Sequence, residues 1–129
     1  IMVIKNDFQY PVADFEGSSI MRWIRGETKP DSVFLSYQDI FDPVALSGRK
    51  TYFGFFGGRA FPERSVVARG IYEATAAADL ATLRENQIDY VIIPKWKKDD
   101  FPYTVSIDVF QAQLPLAYED DRHIVFAVP

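Results

Sequence analysis

Four arginines and one lysine fall within residues 47–70 of this 129-residue chain: Arg49, Lys50, Arg59, Arg64 and Arg69, against a single acid, Glu63. That is an excess of four positive charges inside a chain of net charge −4. Planar guanidinium groups suit carboxylate and phosphate oxygens. Gly48, Gly54, Gly57 and Gly58 let backbone N–H groups approach an anion. A helix start near Glu63 adds a partial positive end. The chemistry this pattern points to is anion binding, with Gly48, Arg49, Arg59, Arg64 and Arg69 as candidate residues. The competing reading is structural: the glycines form turns, and the arginines pair with Asp39, Asp42, Glu63 or the acids of the C-terminal hairpin, as surface charges usually do. Neither Gly-x-x-x-x-Gly-Lys-Ser/Thr nor Gly-x-Gly-x-x-Gly occurs in the segment, so no nucleotide cofactor is expected.

Other residues carry weaker chemistry. Phe53, Phe55, Phe56 and Phe61 share the basic region. Phe53 and Phe55 are expected to alternate into the core, which leaves Phe56 and Phe61 as candidate contacts to a sugar or a membrane surface. Asp39 and Asp42 have the chemistry for a divalent ion or an acid–base pair, but no third carboxylate follows at ligand spacing, so capping and turn formation are expected and no metal site is. His123 is the only histidine, and any Ser-His-Asp arrangement has to be built around it. An exposed hairpin position is its plain reading. Lys95-Trp96-Lys97-Lys98 reads as a solvated loop, its charge partly cancelled by Asp99-Asp100.

The elements that position these residues follow from periodicity. Asp14 is a candidate N-cap for a helix over 14–27, with Ile20, Trp23 and Ile24 at helical spacing and Arg22 and Arg25 on the other face. Lys29-Pro30-Asp31 ends it. Residues 32–37 form a short buried strand, residues 39–46 a loop or one helical turn, and residues 50–54 a second strand. A glycine- and aromatic-rich loop leads to Pro62 and a helix over 63–75, whose inward positions are Val66, Val67, Ile71 and Ala74. Asp79 is the expected N-cap of a helix over 79–87 with Leu80 and Leu83 inward. Residues 88–93 are the clearest strand, residues 104–112 a further helix. Segments 116–119 and 123–128 flank Asp120-Asp121-Arg122 as an antiparallel hairpin. Alternation of helix and strand predicts an α/β fold: a mixed sheet of about five strands, the early ones parallel with helices packed on them, closed by the hairpin.

Composition bounds what such a domain does. Hydrophobic residues at 48% and aromatics at 16% supply one real core, so the chain is a single domain over 1–129 and not a disordered segment. Cysteine is absent, which excludes disulfides, thiolate zinc sites and a cysteine nucleophile. Net negative charge argues against nucleic acid as a partner. No run approaches the ~20 apolar residues of a membrane span, and no signal peptide is visible. The chain opens on Ile1 and reads as an excised piece.

Four segments carry a resemblance. Met21-Arg22-Trp23-Ile24-Arg25-Gly26-Glu27-Thr28-Lys29-Pro30-Asp31-Ser32-Val33 resembles W-I-x-x-x-T-P-x-D-A/S-V, with Lys29 inserted between Thr28 and Pro30. Leu46-Ser47-Gly48-Arg49-Lys50-Thr51-Tyr52-Phe53-Gly54 resembles L-S/T-G-R-x-x-x-x-G. Residues 83–91, with Ile88-Asp89-Tyr90-Val91, resemble L-x-x-x-x-I/V-D-Y-V. Phe110, Leu116-Ala117-Tyr118-Glu119-Asp120 and Ile124-Val125-Phe126 fit a closing F-x-x-x-x-x-L-x-Y-E-D-x-x-x-x-I-Y. The order, spread over about residues 14–128, is similar to the soluble C-terminal domain of multi-pass membrane proteins of the lipid-linked-sugar (GT-C type) glycosyltransferase kind and related uncharacterised membrane proteins. The stretch 53–61 does not align.

The resemblance implies a domain on the extracytoplasmic side of a cell membrane, with the catalytic acids in a membrane part outside this chain. The domain itself would be a non-catalytic accessory. Its partners would be the membrane-embedded part of the parent and a lipid-linked sugar phosphate, with Gly48-Arg49 as the family-like element nearest the basic segment. Two other functions compete. A free-standing protein that binds a small anion such as a sugar phosphate predicts a pocket at the carboxyl ends of strands 33–37 and 50–54. A hydrolase requires two of Asp39, Asp42 and His123 to converge.

Overall fold

Three pairs of alternating side chains explain why this sheet is covered on both faces. In a strand, neighbours point to opposite sides. Phe34 and Leu35, Val91 and Ile92, and Val125 and Phe126 are all buried, so both faces of their strands are covered. The computed structural model describes residues 19–36, 43–52, 62–95 and 103–129. Within these, the chain runs helix α1 (Ser19–Glu27), strand β1 (Val33–Leu35), helix α2 (Pro43–Leu46), strand β2 (Lys50–Thr51), and helix α3 (Pro62–Tyr72). A 3-10 turn (Ala77–Leu80) leads into helix α4 (Ala81–Glu85), and strand β3 (Tyr90–Pro94), helix α5 (Ile107–Gln113), strand β4 (Leu116–Glu119) and strand β5 (His123–Ala127) follow.

The five strands form one sheet in the order β2-β1-β3-β5-β4. β2, β1 and β3 are parallel, with Val33 opposite Lys50 and Phe34 opposite Tyr90. β5 runs antiparallel to β3, pairing Ile92 with Val125, and to β4, with a register shift between Leu116 and Tyr118. The fold is therefore α/β with a mixed sheet and a C-terminal hairpin, as the alternation of elements predicts.

Each face has its own core. Leu35, Val91, Ile93, Ile124 and Phe126 pack with Ala68, Ile71 and Tyr72 of α3, Leu83 of α4 and Phe110 of α5. On the other side, Phe34, Ile92 and Val125 pack with Ile20, Met21 and Ile24 of α1 and Val44 of α2. Trp23 lies half-buried at the rim of this second core, edge-on to Tyr90 with centroids 5.6 Å apart and tilted against Tyr118 at 5.3 Å.

Several expected elements differ in extent. Asp14 and the first part of the 14–27 helix lie outside the described residues, as do Tyr37 and residues 53 and 54 of the expected strands. α3 stops at Tyr72: Glu73 N–H still makes the i−4 bond to Arg69 O at 2.9 Å, but Ala74 N–H turns to Ile71 O at 3.2 Å, a tighter i−3 bond that ends the ladder. Val66 is 73% exposed although it was expected inward. The buried stripe runs through Ala68, Ile71 and Tyr72, and at 100° per residue Val66 lies nearly opposite Ala68. Asp79 is not an N-cap. It sits inside the 3-10 turn, and its carboxylate reaches back to accept the N–H groups of Thr75 and Ala76 at 3.0 and 3.2 Å. Ile88 and Asp89 precede β3 instead of belonging to it.

Candidate functional site

Gly48 and Arg49, the pair of greatest interest in the sequence, act together at the end of α2. The N–H of Arg49 bonds Val44 O at 3.1 Å and that of Gly48 bonds Ala45 O at 3.0 Å, a Schellman closure. Its C′ residue takes a left-handed conformation, here φ +79° at Gly48, where a β-carbon is strained. The turn directs Arg49 toward the C-terminal end of α1. Its Nε donates to Thr28 Oγ1 at 3.0 Å, and its Nη2 donates to the carbonyls of Thr28 at 3.1 Å, Ile24 at 3.2 Å and Arg25 at 3.3 Å. Thr28 Oγ1 in turn donates to Ile24 O at 2.6 Å. A cation thus meets the negative end of α1 and satisfies its last carbonyls. Arg49 is half-buried.

The other candidate arginines are directed elsewhere. Arg64 Nη1 donates to Tyr52 O at 2.8 Å, and its guanidinium lies over the Tyr52 ring, 4.9 Å from the centroid. Arg69 pairs with Glu73 at 3.1 Å and lies over the Tyr103 ring at 5.1 Å. The contacts of Arg49, Arg64 and Arg69 are thus with different partners. Arg59, Phe56 and Phe61 lie outside the described residues, as do Asp39 and Asp42.

A cleft of about 410 Å³ opens beside the edge strand β2. Lys50, Tyr52, Arg64, Glu85, Asn86 and Gln87 supply its chemistry. Its floor is a connected network. Tyr52 O–H donates to Asn86 Oδ1 at 3.2 Å, and Asn86 Nδ2 donates to Thr82 O at 2.9 Å. Burial raises the Tyr52 phenol above its ordinary range, against the opposing charge of Arg64. The cleft is not at the carboxyl ends of β1 and β3. Val33 begins β1 and Gln87 precedes β3, so it lies toward the amino ends of these two strands and runs along the whole of β2 to Tyr52.

Of these residues, Lys50 and Arg64 were visible as part of the basic segment. Tyr52, Glu85, Asn86 and Gln87 belong to no charge cluster or chemical motif in the sequence. The available signal was the end of α4, where Gln87 occupies the position that Gly48 occupies after α2. Its N–H bonds Arg84 O and that of Ile88 bonds Leu83 O, the same two-bond closure, at φ +60° on a residue with a β-carbon.

At the hairpin, Asp120 organises the turn. Its Oδ1 accepts the N–H groups of Arg122 at 2.7 Å and His123 at 2.8 Å, and its Oδ2 accepts the Tyr118 O–H at 2.6 Å. Burial works to raise the Asp120 carboxyl, but these bonds outweigh it and hold it below the usual carboxylate range. Tyr118 is pushed up to about 12, by burial first and then by the bond to Asp120 and its charge. His123 Nδ1 stands 3.9 Å from Asp120 Oδ1. Lys95 ties the end of β3 to the hairpin through Glu119 at 2.8 Å and Asp120 O at 2.9 Å, so this lysine is braced and not simply solvated. Among the described residues, no group of three His, Cys, Asp or Glu side chains could hold a metal ion. Among them, too, no helix is long and apolar enough to cross a membrane. No protein-family model matches the chain, and no curated protein sequence matches it.

Proposed function

We propose that this domain is a non-catalytic accessory module of a multi-pass membrane protein of the glycosyltransferase-like kind, carried on the extracytoplasmic side and in contact with its membrane-embedded part or a lipid-linked sugar phosphate. One observation carries the reading. Five polar residues that the resembling patterns specify, Thr28, Arg49, Asp89, Tyr118 and Asp120, brace the fold. Thr28 and Arg49 close α1. Asp89 accepts the Val33 N–H at 2.9 Å and aligns the start of β1 beside β3. Tyr118 and Asp120 shape the hairpin turn. An enzyme's motif residues gather around reacting atoms, whereas residues spread over separate helix ends and turns preserve a shape for something else to contact.

The test is the polypeptide that contains Ile1. It should also encode several apolar runs of ~20 residues, and a polypeptide without them overturns the membrane assignment. The isolated domain should turn over no lipid-linked sugar; measurable transfer by purified domain overturns the accessory role.

A further inference from the structure

We propose that the cleft beside β2 binds a small phosphate monoester that also carries hydroxyl groups. It is large enough for a small ligand, about 410 Å³, within the range of ordinary small-molecule sites. Its lining brings two cations, Lys50 and Arg64, together with one acid, Glu85, and two amides, Asn86 and Gln87. A purely anionic ligand would face the Glu85 carboxylate, and a neutral polyol would bring no anion to Lys50. A phosphate ester with neighbouring hydroxyls matches both: the cations meet the phosphate oxygens, and Glu85 and Gln87 accept hydroxyl protons.

Order in the cleft supports the assignment. Arg64 is held on two sides, by its bond to Tyr52 O and by its seat over the Tyr52 ring. Tyr52 is held by Asn86, and Asn86 by Thr82. A guanidinium positioned before the ligand arrives loses less freedom on binding. Gln87 supplies an independent sign. Its φ of +60° is one that glycine adopts without strain, and Gly48 fills the equivalent place after α2. An exposed side chain kept in a strained conformation at the lip of a cleft points to a use for that side chain.

The proposal does not rest on the membrane reading. A parent without apolar runs removes that reading and leaves this one standing. The experiment is a ¹H–¹⁵N titration of the protein with glucose 1-phosphate, glucose, inorganic phosphate and sulfate. A parallel arm uses phosphatidylcholine vesicles carrying phosphatidylinositol 4-phosphate, which presents the same chemistry on a lipid. Saturable shifts at the amides of Lys50, Thr51, Arg64 and Gln87 are expected with glucose 1-phosphate, at least about tenfold tighter than with glucose or inorganic phosphate. A response only to the vesicles assigns the site to a headgroup. Lys50→Gln and Gln87→Gly, both at exposed positions, should each weaken binding severalfold while the remaining spectrum is retained. The proposal is overturned by no saturable response to either phosphate ester, by equal affinity for sulfate, or by unchanged affinity in both variants.

Discussion

Replacing Arg49 by alanine should destabilise the domain far more than replacing any other candidate arginine. The guanidinium donates to three carbonyls and one hydroxyl at the end of α1, and three of these four bonds are partly buried. Hydrogen bonds from a charged group contribute about 1.5–3 kcal/mol where the partner is shielded from water. A cation at a helix C-terminus adds about 0.3–1 kcal/mol. Because Nη2 is shared among three carbonyls and Arg49 is only half-buried, the contributions are less than additive, and the loss should be about 2–3 kcal/mol. For a chain of this length that lowers Tm by about 8–12 °C. Lysine supplies the charge but not the fork, so Arg49→Lys should recover about half of the loss. Arg69→Ala is the control: its exposed i,i+4 pair with Glu73 and its ring contact should be worth less than about 1 kcal/mol. Urea and thermal unfolding followed by circular dichroism and tryptophan fluorescence measure all three, and Trp23 on α1 reports the affected helix directly. If Arg49→Ala unfolds within about 0.5 kcal/mol of Arg69→Ala, the bonds drawn here do not carry α1, and Arg49 returns to the pool of residues available for a ligand.

Further outcomes follow from other particular residues. Gly48→Ala should cost about 1 kcal/mol, since alanine pays for the left-handed turn with its β-carbon although nothing else lies within 4 Å of it; equal urea midpoints would refute this. Gln87→Gly should stabilise the fold by about 0.5–1 kcal/mol in the same assay, for the opposite reason. The hairpin should show two pH signatures in unfolding free energies. The Asp120 carboxyl lies lower in the folded than in the unfolded chain, so its contribution is full above the ordinary carboxylate range and is lost as pH falls through the folded value; Asp120→Asn should flatten that acid limb. Tyr118 is raised to about 12, so its contribution is full below the ordinary phenol range near pH 10 and is lost as pH climbs toward 12, a decline that Tyr118→Phe should remove.

How far the sequence speaks for the fold depends on the range of the forces at work. The run around Val91-Ile92-Ile93 is apolar throughout, which suits a strand covered on both faces, and the hairpin flanking Asp120-Asp121-Arg122 is legible in its turn residues. Ala76–Ala78, between the expected helices 63–75 and 79–87, carries no local signal, because alanine tolerates either a helix or a break. A long-range fact decided it: Leu80 and Leu83 had to reach the core beside Tyr72 and Phe110, which bends the chain through a 3-10 turn. Arg49 illustrates the harder case. Its charge and its neighbouring glycine were evident, but a cation beside a glycine describes an anion site and a helix cap equally well. The two are separated only by what lies across from it, and Thr28 is distant by 21 positions in the chain. The cleft is less legible still, since Tyr52 follows β2, Arg64 lies in α3 and Asn86 follows α4, and no local pattern joins them.

The strand order bears on the time at which the domain can be finished. β5 is the last strand of the sequence, yet it lies inside the sheet, bonded to β3 on one side and β4 on the other. Synthesis proceeds from the N-terminus, so β1, β2 and β3 leave the ribosome before the strand that covers the open edge of β3. Until then the apolar Tyr90–Pro94 segment presents unpaired backbone groups along one edge, the kind of surface on which nascent chains pair wrongly. A ribosomal pause or a stop codon placed before His123 would therefore leave this domain without an inner strand of its sheet, a substrate for chaperones and proteases.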